Sequence, residues 1–106
     1  MSVGDSAGFS LSTGQGNTMV GYRTGRSITS GGSNSVFGRE AATALTFGSS
    51  NSVYGSSSAR SLATGSSNSI FGNNSLLGLT SGTGNTILGS GTVSYTHLTL
   101  PTSDLV

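Results

Sequence analysis

Asparagine recurs every 17 residues in this 106-residue chain, at Asn17, Asn34, Asn51, Asn68 and Asn85, with no slip. Other columns hold the same register. A glycine stands three residues before each asparagine (Gly14, Gly31, Gly48, Gly65, Gly82), and another stands four residues after it (Gly21, Gly38, Gly55, Gly72, Gly89). The residue after each asparagine is Thr18, Ser35, Ser52, Ser69 or Thr86. Two apolar columns follow: Met19, Val36, Val53, Ile70 and Ile87, then Val20, Phe37, Tyr54, Phe71 and Leu88. A third apolar column holds Leu11, Ile28, Leu45, Leu62 and Leu79. A strict period of this kind marks an architecture in which each unit stacks on the next.

The period decides how the composition is read. Gly and Ser dominate, and Leu, Ile, Val and Phe supply only 23 of the 106 residues. Without a repeat, such a chain would read as disordered. With one, the unit must be β-structured. It is too short for a helix pair, and each interior glycine disfavours helix by about 1 kcal/mol. Runs such as Asn34 to Phe37, bounded by glycines, fit short strands between turns. The expectation is an all-β fold, a β-solenoid or β-roll with one coil per 17-residue unit. Its first strand covers the asparagine, the hydroxyl residue and the two apolar columns. Its second strand centres on the Leu/Ile column.

Side chains alternate across a strand. Asparagine therefore shares a face with the Val36, Val53, Ile70 and Ile87 column, and Ser/Thr shares the other face with Phe37, Tyr54 and Phe71. Stacked amides can hydrogen-bond from rung to rung at about 4.8 Å. Asparagine also suits turns, so the column has two structural readings. Two opposed apolar ladders predict that something covers the second face, most simply identical chains in a homotrimer. The competing expectation is that the aromatic column packs under a turn of its own chain.

The copies with Gly-x-x-Asn-Thr-x-x-Gly and Leu-Thr-x-Gly resemble the repeats of bacteriophage tail fibres, whose chains often end in an endosialidase-type chaperone domain. The lead-in Val3-Gly4-Asp5-Ser6-Ala7-Gly8 with Leu11-Ser12-Thr13-Gly14 is similar to the commonest form of that repeat. The Asn-Ser-Val-Phe-Gly and Asn-Ser-Ile-Phe-Gly copies also resemble the head repeats of trimeric autotransporter adhesins, which are usually slightly shorter. The resemblance covers about residues 3–92. It implies a trimeric β-rich stalk on a virion or bacterial cell surface that contacts a host.

Three segments follow: a partial repeat over 1–13, five repeats over 14–92 with the last incomplete, and a non-repeat tail over 93–106. Met1 falls inside a repeat, so sequence upstream is expected. The next asparagine would be due at Thr102, so the register is lost from about Val93. The tail holds the only Pro and the only His, and it resembles translated sequencing-adaptor read-through. It is expected to be non-native. The rival reading is a C-terminal cap strand.

Chemistry is sparse. There is no cysteine, so no disulfide framework and no thiolate metal site is expected. His97 stands alone in the tail, and Asp5, Glu40 and Asp104 are far apart in sequence. No Walker A motif or dinucleotide fingerprint occurs. The period carries Asn where calcium-binding repeats carry Asp. No enzyme activity, cofactor or metal is expected. Four dispersed arginines (Arg23, Arg26, Arg39, Arg60) and no lysine give no nucleic-acid footprint. No apolar run is long enough for membrane insertion. Asn73-Asn74-Ser75 is a formal glycosylation sequon. Arg39-Glu40 reads as a solvated surface pair.

Variety concentrates in the slots after the second glycine: Tyr22-Arg23, Arg39-Glu40, Ser56-Ser57 and Asn73-Asn74. Such slots suit exposed turns. Tyr22 with Arg23 and Arg26 could contact a host glycan or protein; plain surface variation is the simpler account. The leading expectation is a fibre shaft or stalk that presents a host-binding tip. The alternative is an adhesin head that binds through its repeat flank. Ice binding ranks third, because the hydroxyl column mixes Ser with Thr and serine lacks the methyl group.

Overall fold

A glycine on either side limits each apolar run to three residues, and the period fixes what each run pairs with. The computed structural model describes residues 1–60, 62–74, 81–89 and 97–99. Within them the chain is an all-β solenoid of about five stacked coils. The first-strand runs are β1 (Ser2–Val3), β2 (Thr18–Val20), β3 (Ser35–Phe37), β4 (Ser52–Tyr54), β6 (Ser69–Phe71) and β8 (Thr86–Leu88). They form one parallel six-stranded sheet in the order β1-β2-β3-β4-β6-β8. Every pairing joins residues 17 apart, as in Met19 with Val36 and Val36 with Val53. Each coil therefore adds one rung.

Alternation sorts the side chains. Met19, Val36, Val53, Ile70 and Ile87 point inward and are buried. Ile28, Leu45 and Leu62 meet them from across the coil, with Ala41, Ala42 and Ala59 filling the space between. The core is thus a narrow column along the stack axis. Leu11 packs against it half-buried, and Leu79 lies outside the described residues.

The second strand does not centre on the Leu/Ile column, which corrects the expectation from sequence. Ile28, Leu45 and Leu62 are core residues outside any strand. Their backbone N–H groups close local turns instead, donating to the carbonyls of Gly25, Ala42 and Ala59 at 3.1 to 3.3 Å. Coil-to-coil bonding resumes one residue later, where Thr29 donates to Thr46 and Thr46 donates to Ala63. A second parallel sheet appears only in the later coils, as β5 (Thr64–Ser66), β7 (Ser81–Thr83) and β9 (His97–Thr99). It sits on the first-glycine column. In β9, His97 pairs with Ser81, 16 residues earlier, whereas Ser81 pairs with Thr64 at the usual 17. The rest of 93–106 lies outside the described residues.

Close coil spacing explains the two glycine columns. At Gly31 a Cβ would be driven into the carbonyl oxygen of Gly48 in the next coil. At Gly38 the φ of +132° is foreign to L side chains, and a Cβ would lie 2.6 Å from the carbonyl carbon of Gly55. The turns that follow also need left-handed residues, and here the chain uses Arg23 (φ 55°), Glu40 (56°), Ala42 (52°) and Ala59 (53°). Each such residue costs about 1 kcal/mol of strain. The stack holds them in place: Arg23 N–H donates to the Asp5 carbonyl at 2.8 Å and Glu40 N–H to the Tyr22 carbonyl at 2.7 Å. Thr24 Oγ1 staples the turn to the Gly38 carbonyl at 2.6 Å, and Ser58 Oγ does the same to Gly72.

Candidate functional site

The inward polar feature is the asparagine ladder. Asn17, Asn34, Asn51, Asn68 and Asn85 are all buried. Asn34 Nδ2 donates to Asn17 Oδ1 and Asn51 Nδ2 to Asn34 Oδ1, both at 3.0 Å. Asn68 and Asn85 continue the chain at 3.0 and 3.1 Å. The Oδ1 atoms of Asn17, Asn34, Asn51 and Asn68 also accept the backbone N–H of the next asparagine, as from Asn51 to Asn34 at 3.0 Å. The second Nδ2 proton goes up one coil, from Asn34 to the Gly48 carbonyl and from Asn51 to the Gly65 carbonyl, both at 2.8 Å. Asn51 thus makes two donations and two acceptances, the full capacity of a side-chain amide. The ladder binds coil to coil and leaves little capacity for a ligand.

The outward face of the six-stranded sheet carries the second apolar column. Phe37 stacks on Tyr54 and Tyr54 on Phe71, with ring centroids 4.9 Å apart in both pairs and planes within 7°. Tyr54, Phe71 and Leu88 are 36 to 44% exposed, so no turn of the described chain covers them. The rings cover one another's faces and turn their edges to solvent. That arrangement is poorly suited to sugar stacking, which needs an open ring face, and better suited to packing against another apolar ridge. Every outward position of this strip is Ser, Thr, Val, Phe, Tyr or Leu, so the strip carries no charge.

Charge collects at the turn corner instead. The Arg23 guanidinium lies 5.0 Å from the centre of the Tyr22 ring, and Arg39 lies 5.6 Å from it. Glu40 takes Arg39 Nη1 at 3.1 Å on one oxygen and Arg23 Nη1 at 3.8 Å on the other. Of the three residues singled out from sequence, Tyr22 and Arg23 come together. Arg26 does not join them; it lies 5.8 Å from the centre of the Phe9 ring. Sequence reading missed Arg39 as a partner of Tyr22 and Phe9 as a partner of Arg26. The period held the signal, since each pair is separated by one repeat.

Among the described residues, no three His, Cys, Asp or Glu side chains gather as a metal site would require. His97 is described only as backbone in β9; Asp104 and the sequon residue Ser75 lie outside the described residues. Among the described residues, no helix is long and apolar enough to cross a membrane. Comparison with family models, with curated proteins and with solved structures found no match.

Proposed function

We propose that this chain is a structural segment of an elongated fibre or stalk, of the kind that holds a host-binding tip away from a virion or a bacterial cell. The observation that carries this reading is the asparagine ladder, whose hydrogen bonds repeat from coil to coil along the stack. A scaffold of this form transmits position along one axis and is extended by adding units. The outward strip supports a further part of the reading, that identical chains pack together through Phe37, Tyr54 and Phe71. The strip is apolar and uncharged, and its 4.9 Å ring spacing is matched by any second copy of itself. A homotrimer is the assembly this predicts. Light scattering on size-fractionated protein tests it: a trimeric mass that falls to a monomer on Tyr54→Ser supports the reading. A well-folded wild-type monomer at micromolar concentration contradicts it.

A further inference from the structure

The Tyr22 corner is used by neither the core nor the outward strip, and its composition is not what the backbone there prefers. The left-handed position held by Arg23 and Glu40 is filled by Ser6, Ser57 and Asn74 in the other coils, all at φ of 57 to 61°. Asn suits that conformation better than a long charged side chain does. The ion pairs do not compensate, because Arg23 and Arg39 are 43 and 63% exposed and pairs that exposed contribute little to stability. Stability therefore does not account for Arg and Glu at these two coils.

We propose that Tyr22, Arg23, Arg39 and Glu40 form a docking patch for a carboxylated polysaccharide. The two guanidiniums converge on one tyrosine ring and one carboxylate, so both are presented to the same ligand. Each guanidinium has five N–H donors in a planar fork that matches a carboxylate, and Glu40 engages only part of them. Glu40 keeps acceptor capacity for a sugar hydroxyl. With two arginines against one glutamate the patch is net positive. Asp5, one repeat before Tyr22, is the acidic residue of the same column and carries the opposite charge. No cavity is found among the described residues, which fits an extended polymer lying across the turns rather than an enclosed small molecule. This proposal goes beyond the scaffold role, and its failure would leave self-association untouched.

Calorimetric titration of the full chain at about 150 mM salt tests it, near physiological screening. The probes are an oligogalacturonate, a sulfated heparin-derived oligosaccharide and neutral maltohexaose. The expected result is binding of the oligogalacturonate and none of maltohexaose. Arg39→Gln and, independently, Arg23→Gln should each weaken binding at least about tenfold, as loss of a charged hydrogen bond does. Arg60→Gln removes the same charge away from the patch and should bind like the parent. No binding overturns the proposal. So does equal weakening by Arg60→Gln, or equal binding of the sulfated oligosaccharide, either of which reduces the effect to general charge attraction.

Discussion

Truncating Asn51 to alanine removes one rung of the asparagine ladder and nothing else of comparable size. Four hydrogen bonds go with it: to Asn34 Oδ1, to the Gly65 carbonyl, and from both the backbone and the side chain of Asn68. Asn34 Oδ1 keeps the Asn51 backbone N–H. The Gly65 carbonyl loses the amide that reaches it, and the Asn68 backbone N–H and one Asn68 Nδ2 proton lose their acceptor. Asn51 is 1% exposed, so water does not readily replace these partners. Leaving a buried polar group unsatisfied costs about 1–3 kcal/mol. Three such groups give a loss of roughly 3–9 kcal/mol, a large part of the ~5–15 kcal/mol that holds a domain of ordinary stability. Urea unfolding followed by circular dichroism reads the change as a fall in midpoint at constant slope. As a control, Ser56→Ala in an exposed turn should stay within about 0.5 kcal/mol. A loss below about 1 kcal/mol for Asn51→Ala, equal to that of the turn control, would refute the ladder as a principal source of coil-to-coil cohesion.

Three further outcomes are expected. Met19 fills the space where a Cβ at Gly25 would lie 2.6 Å from its sulfur, whereas the same core column holds Val36 and Val53 in the coils that carry Ala42 and Ala59. Gly25→Ala should therefore cost about 2–4 kcal/mol from overpacking and left-handed strain, and Met19→Val should recover at least about 1 kcal/mol of it in a double-mutant cycle; strict additivity would contradict the size matching. Asn51→Asp places a carboxyl where an amide donated to two oxygens. Burial and those oxygens raise its folded pKa above the unfolded value, so the folded state binds the proton more tightly and stability falls as pH rises. The melting temperature of the variant relative to the parent should accordingly be highest at acid pH, and a pH-independent difference would contradict this. Excising residues 35–51 rejoins every ladder one rung shorter and should leave cooperative unfolding in circular dichroism, whereas excising 35–50 shifts each downstream side chain to the opposite face and should abolish it.

Sequence period alone was enough to locate the parallel rungs, the buried Met19, Val36, Val53, Ile70 and Ile87 column and the outward Phe37, Tyr54 and Phe71 column, because alternation across a strand needs no tertiary information. The second half of the coil was harder to read. Its apolar column, with Leu45 and Leu62, looks like a strand centre, yet those amides close turns. The left-handed residues that build the turns are Gly25 in one coil but Ala42 and Ala59 in others, so the glycine signal is broken. The Thr24 and Ser58 staples to the next coil leave no mark beyond a small polar residue at that position. At the charged corner, Tyr22 and Arg23 were visible as neighbours in sequence. Arg39 and Glu40 joined them only once the variable slots, like the invariant ones, were set one repeat apart.

The central claim is that residues 17 apart lie side by side in adjacent coils, so that parallel pairing sends each of these strand amides to the carbonyl 16 residues on. Scalar couplings across hydrogen bonds, measured by NMR on the isotopically labelled chain, report such partners directly. The amides of Thr18, Ser35 and Ser52 should couple to the carbonyls of Asn34, Asn51 and Asn68, each pair being 2.8 Å apart. Couplings from these amides to carbonyls at any other spacing, or rapid amide exchange with no coupling at all, would contradict the stacked-coil account.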